Sequence, residues 1–264
     1  MKKYDVIVIG SGGGAKIVSP ASRLGLKVAV LEKEALGGTC LNRGCIPSKI
    51  LIHPADVATA IREAEKFDLH LDRDFSVDFA RLITRISNTV DGDSNKIALA
   101  YQKNPHIDFY HTAGRFFANK TIEVDGTQIT ADKIFLAVGA RPRIPPIPGL
   151  AGTPFMTSTE ALRNTKLARK MVVVGGGLIA VELGHAYGAL GTEVHFLVRH
   201  RMLPREDAQV AEEFSRVFSQ RHRVHWGAVP LEVEFSNGRF TITYQNTEGP
   251  RNKITADSLL MAVG

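Results

Sequence analysis

Two segments of the chain share one order of elements: a short apolar strand, a glycine turn, a helix and a second strand. In the first segment, residues 4–10 lead into the turn at residues 10–15. In the second, residues 171–174 lead into the turn at residues 175–180. This order is typical of the β-α-β unit that begins a dinucleotide-binding fold. Its occurrence twice predicts the α/β class, with two Rossmann-like dinucleotide-binding domains.

The first glycine turn has a pattern suited to a pyrophosphate. Gly10, Gly12, Gly14 and Ala15 fit the pattern G-x-G-x-x-A. Such glycines permit a tight turn and let a phosphate approach the backbone N–H groups at a helix N-terminus. Glu32 ends the next predicted strand, where a carboxylate can accept hydrogen bonds from ribose hydroxyls. The alternative is a glycine loop with an incidental surface glutamate.

The chain has two cysteines, Cys40 and Cys45, within one glycine-flanked segment. A structural metal site needs four ligands, and no second cysteine pair accompanies these two, so we predict no metal. A structural disulfide is an open alternative, but a redox dithiol fits a reducing compartment better. Gly44 helps the segment to fold back, as a bridge requires. Cys45 is predicted to begin a helix, whose dipole favours a thiolate, and Lys49 adds a cation one turn later.

The second glycine turn is followed by arginines instead of a carboxylate. Arg199 comes directly after the second strand, and Arg201 and Arg205 follow. Guanidinium groups bind phosphate through charge-assisted hydrogen bonds, so Arg199 and Arg205 predict a preference for the 2′-phosphate of NADPH. The alternative is a solvated basic face. The residues assigned to the turn and its helix are Gly175, Gly177, Ala180 and, for close packing of the helix on the strand, Gly184.

A proline-rich segment separates the two repeats. Residues 141–150 contain four prolines, which cannot join a sheet or a helix, and this predicts a stiff linker at a domain boundary. We therefore expect domains at residues 1–148 and 149–264. Residues 261–264 echo residues 136–139, which lead on into more chain. On this ground we expect a truncated piece of a longer protein, with the second domain incomplete at its C-terminal end.

Other local signals refine the expected elements. Apolar residues at helical spacing predict a helix over residues 79–101, which Asp91-Gly92-Asp93 should break. Proline should kink or shorten the first helix at Pro20 and kink or end the helix that begins at Cys45 at Pro54. Turn sequences predict hairpins at Asp125-Gly126 and Asn237-Gly238.

Composition excludes several function classes. The net charge of +6 is mild and locally clustered, without a motif for binding nucleic acid. No apolar run approaches the roughly 20 residues of a membrane span. The N-terminal apolar strand lacks a signal-peptide cleavage site. We expect a cytoplasmic protein with neither nucleic-acid nor membrane partners.

These motifs together resemble those of the flavoprotein disulfide reductases, a family that includes dihydrolipoamide, glutathione, mycothione and mercuric members. The cysteine segment is specific to that family, whereas the glycine turns are not. The resemblance covers the whole chain. Besides the two glycine turns, it is carried by Gly38-Thr39-Cys40-x4-Cys45-x-Pro47-x-Lys49, by Ala137-Val138-Gly139-x-Arg141-Pro142, by Glu182 and by Ala262-Val263-Gly264.

The resemblance implies FAD in the first domain and NADPH or NADH in the second. It implies that Cys45 is the thiol in charge transfer with the flavin and that Cys40 exchanges with substrate. It also implies an ion pair of Lys49 with Glu182 near the flavin. The further cofactor-binding positions that it implies are Lys33, Gly38, Thr39, Gly114, Gly139 and Gly264.

The implied activity is electron transfer between NAD(P)H and a disulfide or dithiol substrate, in cell redox homeostasis. The cysteine segment looks most like that of dihydrolipoamide dehydrogenase, whereas Arg199 looks like an NADPH-linked mycothione or glutathione reductase. The family's dimerisation domain, with a catalytic histidine that acts on the partner subunit, has no counterpart here. We therefore expect a homodimer for the full-length parent and an inactive nucleotide-binding fragment for the 264-residue chain alone.

Overall fold

The structure is a computed structural model that describes residues 1–71, 75–247 and 249–264. Its internal contacts divide the chain into two compact units. Unit 1 comprises Met1–Pro47 and Ile86–Arg141, and unit 2 comprises Ser48–Arg85 and Pro142–Gly264. The predicted domain division between residues 148 and 149 stays a prediction.

The described residues contain both helices and strands. The first half has β1 (Lys2–Ile9), α1 (Ala15–Arg23), β2 (Val28–Leu31), α2 (Gly38–Arg43), α3 (Cys45–Arg62), α4 (Phe79–Lys103), β3 (Ile107–Tyr110), β4 (Arg115–Ala118), β5 (Thr121–Val124) and β6 (Thr127–Leu136). The second half has α5 (Ser158–Ala161), β7 (Lys170–Val174), α6 (Leu178–Ala189), β8 (Glu193–Val198), α7 (Ala208–Arg221), β9 (Arg223–Trp226), β10 (Val229–Ser236), β11 (Arg239–Gln245), β12 (Arg251–Ala256) and β13 (Ser258–Met261). A short 3₁₀ helix spans Ala64–Phe67.

Unit 1 is built on a six-stranded sheet in the order β3-β2-β1-β6-β5-β4. Strand β1 is parallel to β2 and β6, and the hairpin from β5 to β6 turns at Asp125-Gly126, as predicted. All four residues of β2 are buried, as expected for a parallel strand with both faces covered. Side chains of β1 enter two separate cores, one with Val6 and Val8 and the other with Tyr4 and Ile7.

Unit 2 combines a four-stranded parallel sheet, β13-β7-β8-β9, with a three-stranded antiparallel sheet, β10-β11-β12. The β10–β11 hairpin turns at Asn237-Gly238, as predicted. One apolar core joins the two sheets, with Val172 and Leu197 from the parallel sheet and Phe240 and Ile242 from the antiparallel one.

Residues expected to break helices do not end them in the structure. Helix α4 passes through Asp91-Gly92-Asp93 without a break, because Val90 and Ser94 on either side are buried in unit 1 and hold the segment. The Ser94 hydroxyl also donates to the carbonyl oxygen of Leu36 at 2.8 Å. Helix α3 does not end at Pro54, since Leu51, Ala55 and Ala58 bury the helix on both sides of the proline. Helix α1 likewise runs through Pro20 to Arg23, close to its expected end.

Within the described ranges, no helix has both the length and the apolar composition to cross a bilayer.

Candidate active site

The first glycine turn lies in unit 1, between the end of β1 and the start of α1. Gly10 has φ 98°, and a Cβ there would lie 2.1 Å from the carbonyl oxygen of Ala137. Its N–H donates to the Leu31 carbonyl oxygen at 2.8 Å. Only glycine can occupy this position, because a side chain would collide with the backbone that follows β6.

Glu32 follows β2, and its carboxylate faces the glycine turn. One oxygen, Oε2, accepts hydrogen bonds from the Ser11 N–H at 3.0 Å and from the Ser11 hydroxyl at 2.8 Å. The other, Oε1, accepts from the Glu34 N–H at 3.0 Å. Ser11 was not among the predicted site residues, although its hydroxyl lies beside the first glycine of the turn. Ser11, which is 1% exposed, thus connects the Glu32 carboxylate to the glycine turn.

The cysteine segment contacts the glycine turn backbone to backbone. A Cβ on Gly38 would lie 2.4 Å from the Cα of Gly12, and Gly38 has φ 62°. A Cβ on Gly13, by contrast, would meet no atom within 4 Å. The turn therefore has an open side at the N-terminus of α1, where N–H groups without helical partners favour anions. These features fit the diphosphate and ribose of a dinucleotide.

The two cysteines lie on either side of a tight reversal. Cys40 belongs to α2, and Cys45 begins α3. A Cβ on Gly44 between them would lie 2.8 Å from the carbonyl oxygen of Thr39, so the reversal requires glycine. Both cysteines are exposed and neither forms a disulfide. A hydrogen bond with the Cys45 thiol raises the pKa of Cys40, and partial removal from water raises it further.

Asn42, between the cysteines, holds the start of the segment. Its buried side-chain amide donates to the carbonyl oxygens of Ala35 at 3.1 Å, Leu36 at 2.9 Å and Gly38 at 3.0 Å. Arg43 forms an ion pair with Glu34. Asn42 was not among the predicted site residues, although a short amide side chain within a turn is a known signal for backbone hydrogen bonding.

The other predicted positions of unit 1 are spread around the sheet. Lys33 and Thr39 are exposed near the turn, and Gly139 is exposed with φ 72°. Gly114 lies directly against the Leu31 side chain, since a Cβ at position 114 would be 2.3 Å from it. Packing against Leu31 thus accounts for the glycine at position 114.

Unit 2 repeats the construction of the first turn. A Cβ on Gly175 would lie 2.2 Å from the carbonyl oxygen of Ala262, and Gly177 precedes α6 as its N-cap. Ala180 is buried. At Gly184 a Cβ would lie 2.2 Å from the ring of Phe196, so α6 packs as closely on β8 as the sequence predicts.

Lys49 and Glu182, both in unit 2, form an ion pair. The side chains are 60% and 32% exposed, respectively. An ion pair this exposed contributes at most about 1 kcal/mol to stability, so it holds two side chains in place more than it stabilises the fold.

The arginines lie in the segment after β8, which we call the arginine loop (residues 199–205). Arg199 and Arg205 are exposed, and neither side chain has a hydrogen bond or ion pair with any described residue. Arg201 instead donates to the carbonyl oxygen of Pro204 at 3.1 Å. Gly264 is exposed, and its carbonyl oxygen accepts from the Arg143 N–H at 2.7 Å.

The fold is that of a flavoprotein disulfide reductase. Over the whole chain it superimposes on the Cu(II) complex of the HOCl-induced flavoprotein disulfide reductase RclA from Escherichia coli, with a TM-score of 0.85 and 28% identity, covering 57% of that protein. The model of the family described as pyridine nucleotide-disulphide oxidoreductase matches residues 4–264. The chain belongs to that family.

Curated relatives agree with this assignment. The chain is 34% identical to mycothione reductase of Mycobacterium tuberculosis over 284 residues, covering all of this chain and 58% of that reductase. It is 30% identical to mercuric reductase of Staphylococcus aureus over 263 residues, covering 99% of this chain and 48% of that reductase. The chain thus spans about half the length of the curated relatives it matches. The predicted family and α/β fold class are confirmed.

Proposed function

We propose that the chain carries the nucleotide sites and the redox dithiol of an FAD-dependent oxidoreductase that transfers electrons between NAD(P)H and a disulfide or dithiol substrate. One observation carries the proposal: Cys40 and Cys45 share a hydrogen bond in a segment that packs, glycine on glycine, against a nucleotide-type turn. A purely structural thiol pair needs no such contact. The family membership supports the same reaction type.

The residues of the first turn would hold FAD. The N-terminus of α1, with Gly12 and Gly13, would receive the diphosphate, and Glu32 would accept the ribose hydroxyls. Bound FAD would supply the two-electron carrier between a nicotinamide and the dithiol. Ser11 would keep the Glu32 carboxylate oriented toward the turn.

The two cysteines would reduce a substrate disulfide in two steps of thiol–disulfide exchange. In the reduced pair, the Cys40 thiolate attacks one sulfur of a substrate disulfide and releases the first substrate thiolate. The Cys45 thiolate then attacks the Cys40 sulfur of the mixed disulfide, releases the second and leaves a Cys40–Cys45 disulfide. Two electrons pass to the substrate, two protons complete its thiols, and NAD(P)H supplies the electron pair that resets the cysteines. The raised pKa of Cys40 means that a base must first remove its proton.

For the second cofactor we propose NADPH over NADH. Arg199 and Arg205 are exposed guanidinium groups placed just after β8, where a carboxylate would instead repel a 2′-phosphate. Initial rates or affinities with the two nucleotides, in the wild type and in an Arg199→Glu, Arg205→Ala double variant, test this choice. A wild type that already prefers NADH contradicts it.

The cysteine segment favours a substrate of the dihydrolipoamide type. The arginines and the mycothione reductase relative favour a low-molecular-weight disulfide such as mycothione. The mercuric reductase relatives support a second candidate, because thiolates are preferred ligands of soft metal ions and the same two sulfurs would bind one. Turnover assays with lipoamide, a mycothione-type disulfide and Hg(II) distinguish the three. We expect the activity in a cytoplasmic homodimer and little or none in the 264-residue chain alone.

Anaerobic reduction of the FAD-loaded protein tests the core of the proposal. A long-wavelength absorbance from a thiolate against the flavin is expected in the wild type and in Cys40→Ser, and it should vanish in Cys45→Ser. The Cys40→Ser variant is the matched control, since it removes the neighbouring sulfur by the same substitution. Absence of the band from wild type and Cys40→Ser alike would defeat the proposal.

A further inference from the structure

The arginine loop is hydrogen-bonded to the second glycine turn at Gly176. The N–H of Leu203 donates to the carbonyl oxygen of Gly176 at 2.7 Å. A Cβ on Gly176 would lie 3.0 Å from the Arg201 carbonyl oxygen and 3.0 Å from the Val198 side chain. The loop therefore rests directly on the backbone at position 176, in space that any side chain there would fill.

The loop has a defined shape of its own. Met202 is fully buried and Leu203 is 8% exposed, so the centre of the loop is anchored in unit 2. Leu203 has φ 48°, a left-handed conformation that an ordinary residue adopts only where its surroundings impose it. Beyond it, the Glu206 N–H donates to the Leu203 carbonyl oxygen at 3.0 Å.

The three arginines of the loop differ in what they contact. Arg201 donates to the Pro204 carbonyl oxygen and so helps to close the loop. Arg199 and Arg205, on either side of the buried centre, are exposed and make no ion pair with a described residue. Two unpaired guanidinium groups on a rigidly held loop form a preorganised site for a dianion.

We propose that Gly176 is a positioning residue for recognition of the 2′-phosphate: through Leu203 and Met202 it sets the places of Arg199 and Arg205 without supplying a charge itself. The proposal rests on the NADPH assignment above and adds the residue that controls it. Gly176 itself has a backbone conformation open to L residues, so an alanine there is strained only by what it touches. Since Met202 is buried and Leu203 is hydrogen-bonded, we expect the small displacement that an alanine methyl group requires to move the ends of the loop, where the two arginines lie.

The test compares two nucleotides that differ by one group, adenosine 2′,5′-bisphosphate and adenosine 5′-monophosphate. Their dissociation constants are measured by calorimetry with the 264-residue chain. We expect the wild type to bind the bisphosphate at least about tenfold more tightly. Gly176→Ala should lose most of that ratio, with the affinity for the monophosphate within about twofold of wild type. Gly92→Ala, whose methyl group would meet no atom within 4 Å, is the matched control and should keep the ratio.

The outcomes separate the two proposals. If the wild type binds the two nucleotides with nearly equal dissociation constants, both the NADPH assignment and this inference are wrong. A high wild-type ratio that Gly176→Ala preserves overturns the inference alone, as does an equal loss of affinity for both nucleotides. If Gly176→Ala does not fold by circular dichroism, Met202→Ala loosens the same anchor from the other side and should reduce the ratio in the same way. An unchanged ratio in Met202→Ala overturns the inference too.

Discussion

The Ser11 hydroxyl donates to the Glu32 carboxylate at 2.8 Å and accepts from the Gly37 N–H at 3.0 Å. One buried oxygen thereby joins the glycine turn, the residue after β2 and the segment that leads to the cysteines. Because all three belong to unit 1, the nucleotide-type turn and the dithiol segment share a hydrogen-bonded junction.

Removing that hydroxyl should weaken unit 1. Ser11→Ala leaves the Gly37 N–H and one carboxylate oxygen without this partner, which costs about 1–3 kcal/mol in a buried setting. Urea unfolding followed by circular dichroism measures the change. Ser22→Ala is the control, since the Ser22 hydroxyl is buried but bonds only locally, to the Ser19 carbonyl oxygen. Equal stability of wild type and Ser11→Ala would show that the junction contributes nothing.

Gly38→Ala should be more damaging than a substitution at Gly13. The new methyl group at position 38 would lie 2.4 Å from the Gly12 Cα, and φ 62° is unfavourable for alanine. We expect a loss of at least about 2 kcal/mol in the free energy of unfolding. A methyl group on Gly13 meets no atom within 4 Å, so Gly13→Ala should unfold close to the wild type. The idea fails if the two variants have the same midpoint of urea unfolding.

The rate of Cys40 alkylation should depend on Cys45. The hydrogen bond with the Cys45 thiol raises the pKa of Cys40, so less thiolate is present near neutral pH than in an ordinary cysteine. Cys45→Ala removes that bond and should shift the pH midpoint for reaction of Cys40 with iodoacetamide downward. Mass spectrometry of the modified peptide gives the rate at each pH. An upward shift, or none, would contradict the assigned direction.

His195 and His225 of unit 2 belong to a chain of hydrogen bonds that runs from Glu193 to Tyr244. His195 Nε2 lies 2.7 Å from a Glu193 carboxylate oxygen, so that nitrogen carries the hydrogen. With both rings neutral, His195 Nδ1 accepts from His225 Nε2 at 3.0 Å, and His225 Nδ1 accepts from the Tyr244 hydroxyl at 3.0 Å. The two rings cannot both be protonated, since His195 Nδ1 and His225 Nε2 would then be two donors facing each other.

The histidine chain predicts a loss of stability in mild acid. Burial, above all, lowers the pKa of both His195 and His225, and it lowers the pKa of His222 to about 4. As pH falls below about 6.5, the unfolded chain takes up protons that the folded chain does not, so the free energy of unfolding decreases. Urea unfolding between pH 8 and pH 5 measures this slope. The double variant His195→Gln, His225→Gln should have a smaller slope. His53→Gln, which replaces an exposed histidine, is the control and should have the wild-type slope. A double variant with an unchanged slope would refute the prediction.

Local patterns were sufficient for much of the fold. The strands predicted before the two glycine turns, at residues 4–10 and 171–174, are present as β1 (Lys2–Ile9) and β7 (Lys170–Val174). Alternation, glycine turns and hairpin sequences act over a few residues, so the sequence displays them directly. The breaker residues Gly92 and Pro54 do not end α4 and α3, because tertiary burial outweighs local propensity there.

The sequence by itself determined the repeated strand–turn–helix order, the pair of cysteines and the arginines after β8, because each is a short-range pattern of residue types. Only the tertiary structure decided that Ser11 orients Glu32, that Gly38 lies on Gly12 and that Gly176 carries the arginine loop. Each of these joins residues more than twenty positions apart. Such contacts depend on how strands and helices pack, and packing is set by the summed burial of the whole core, which no local pattern contains.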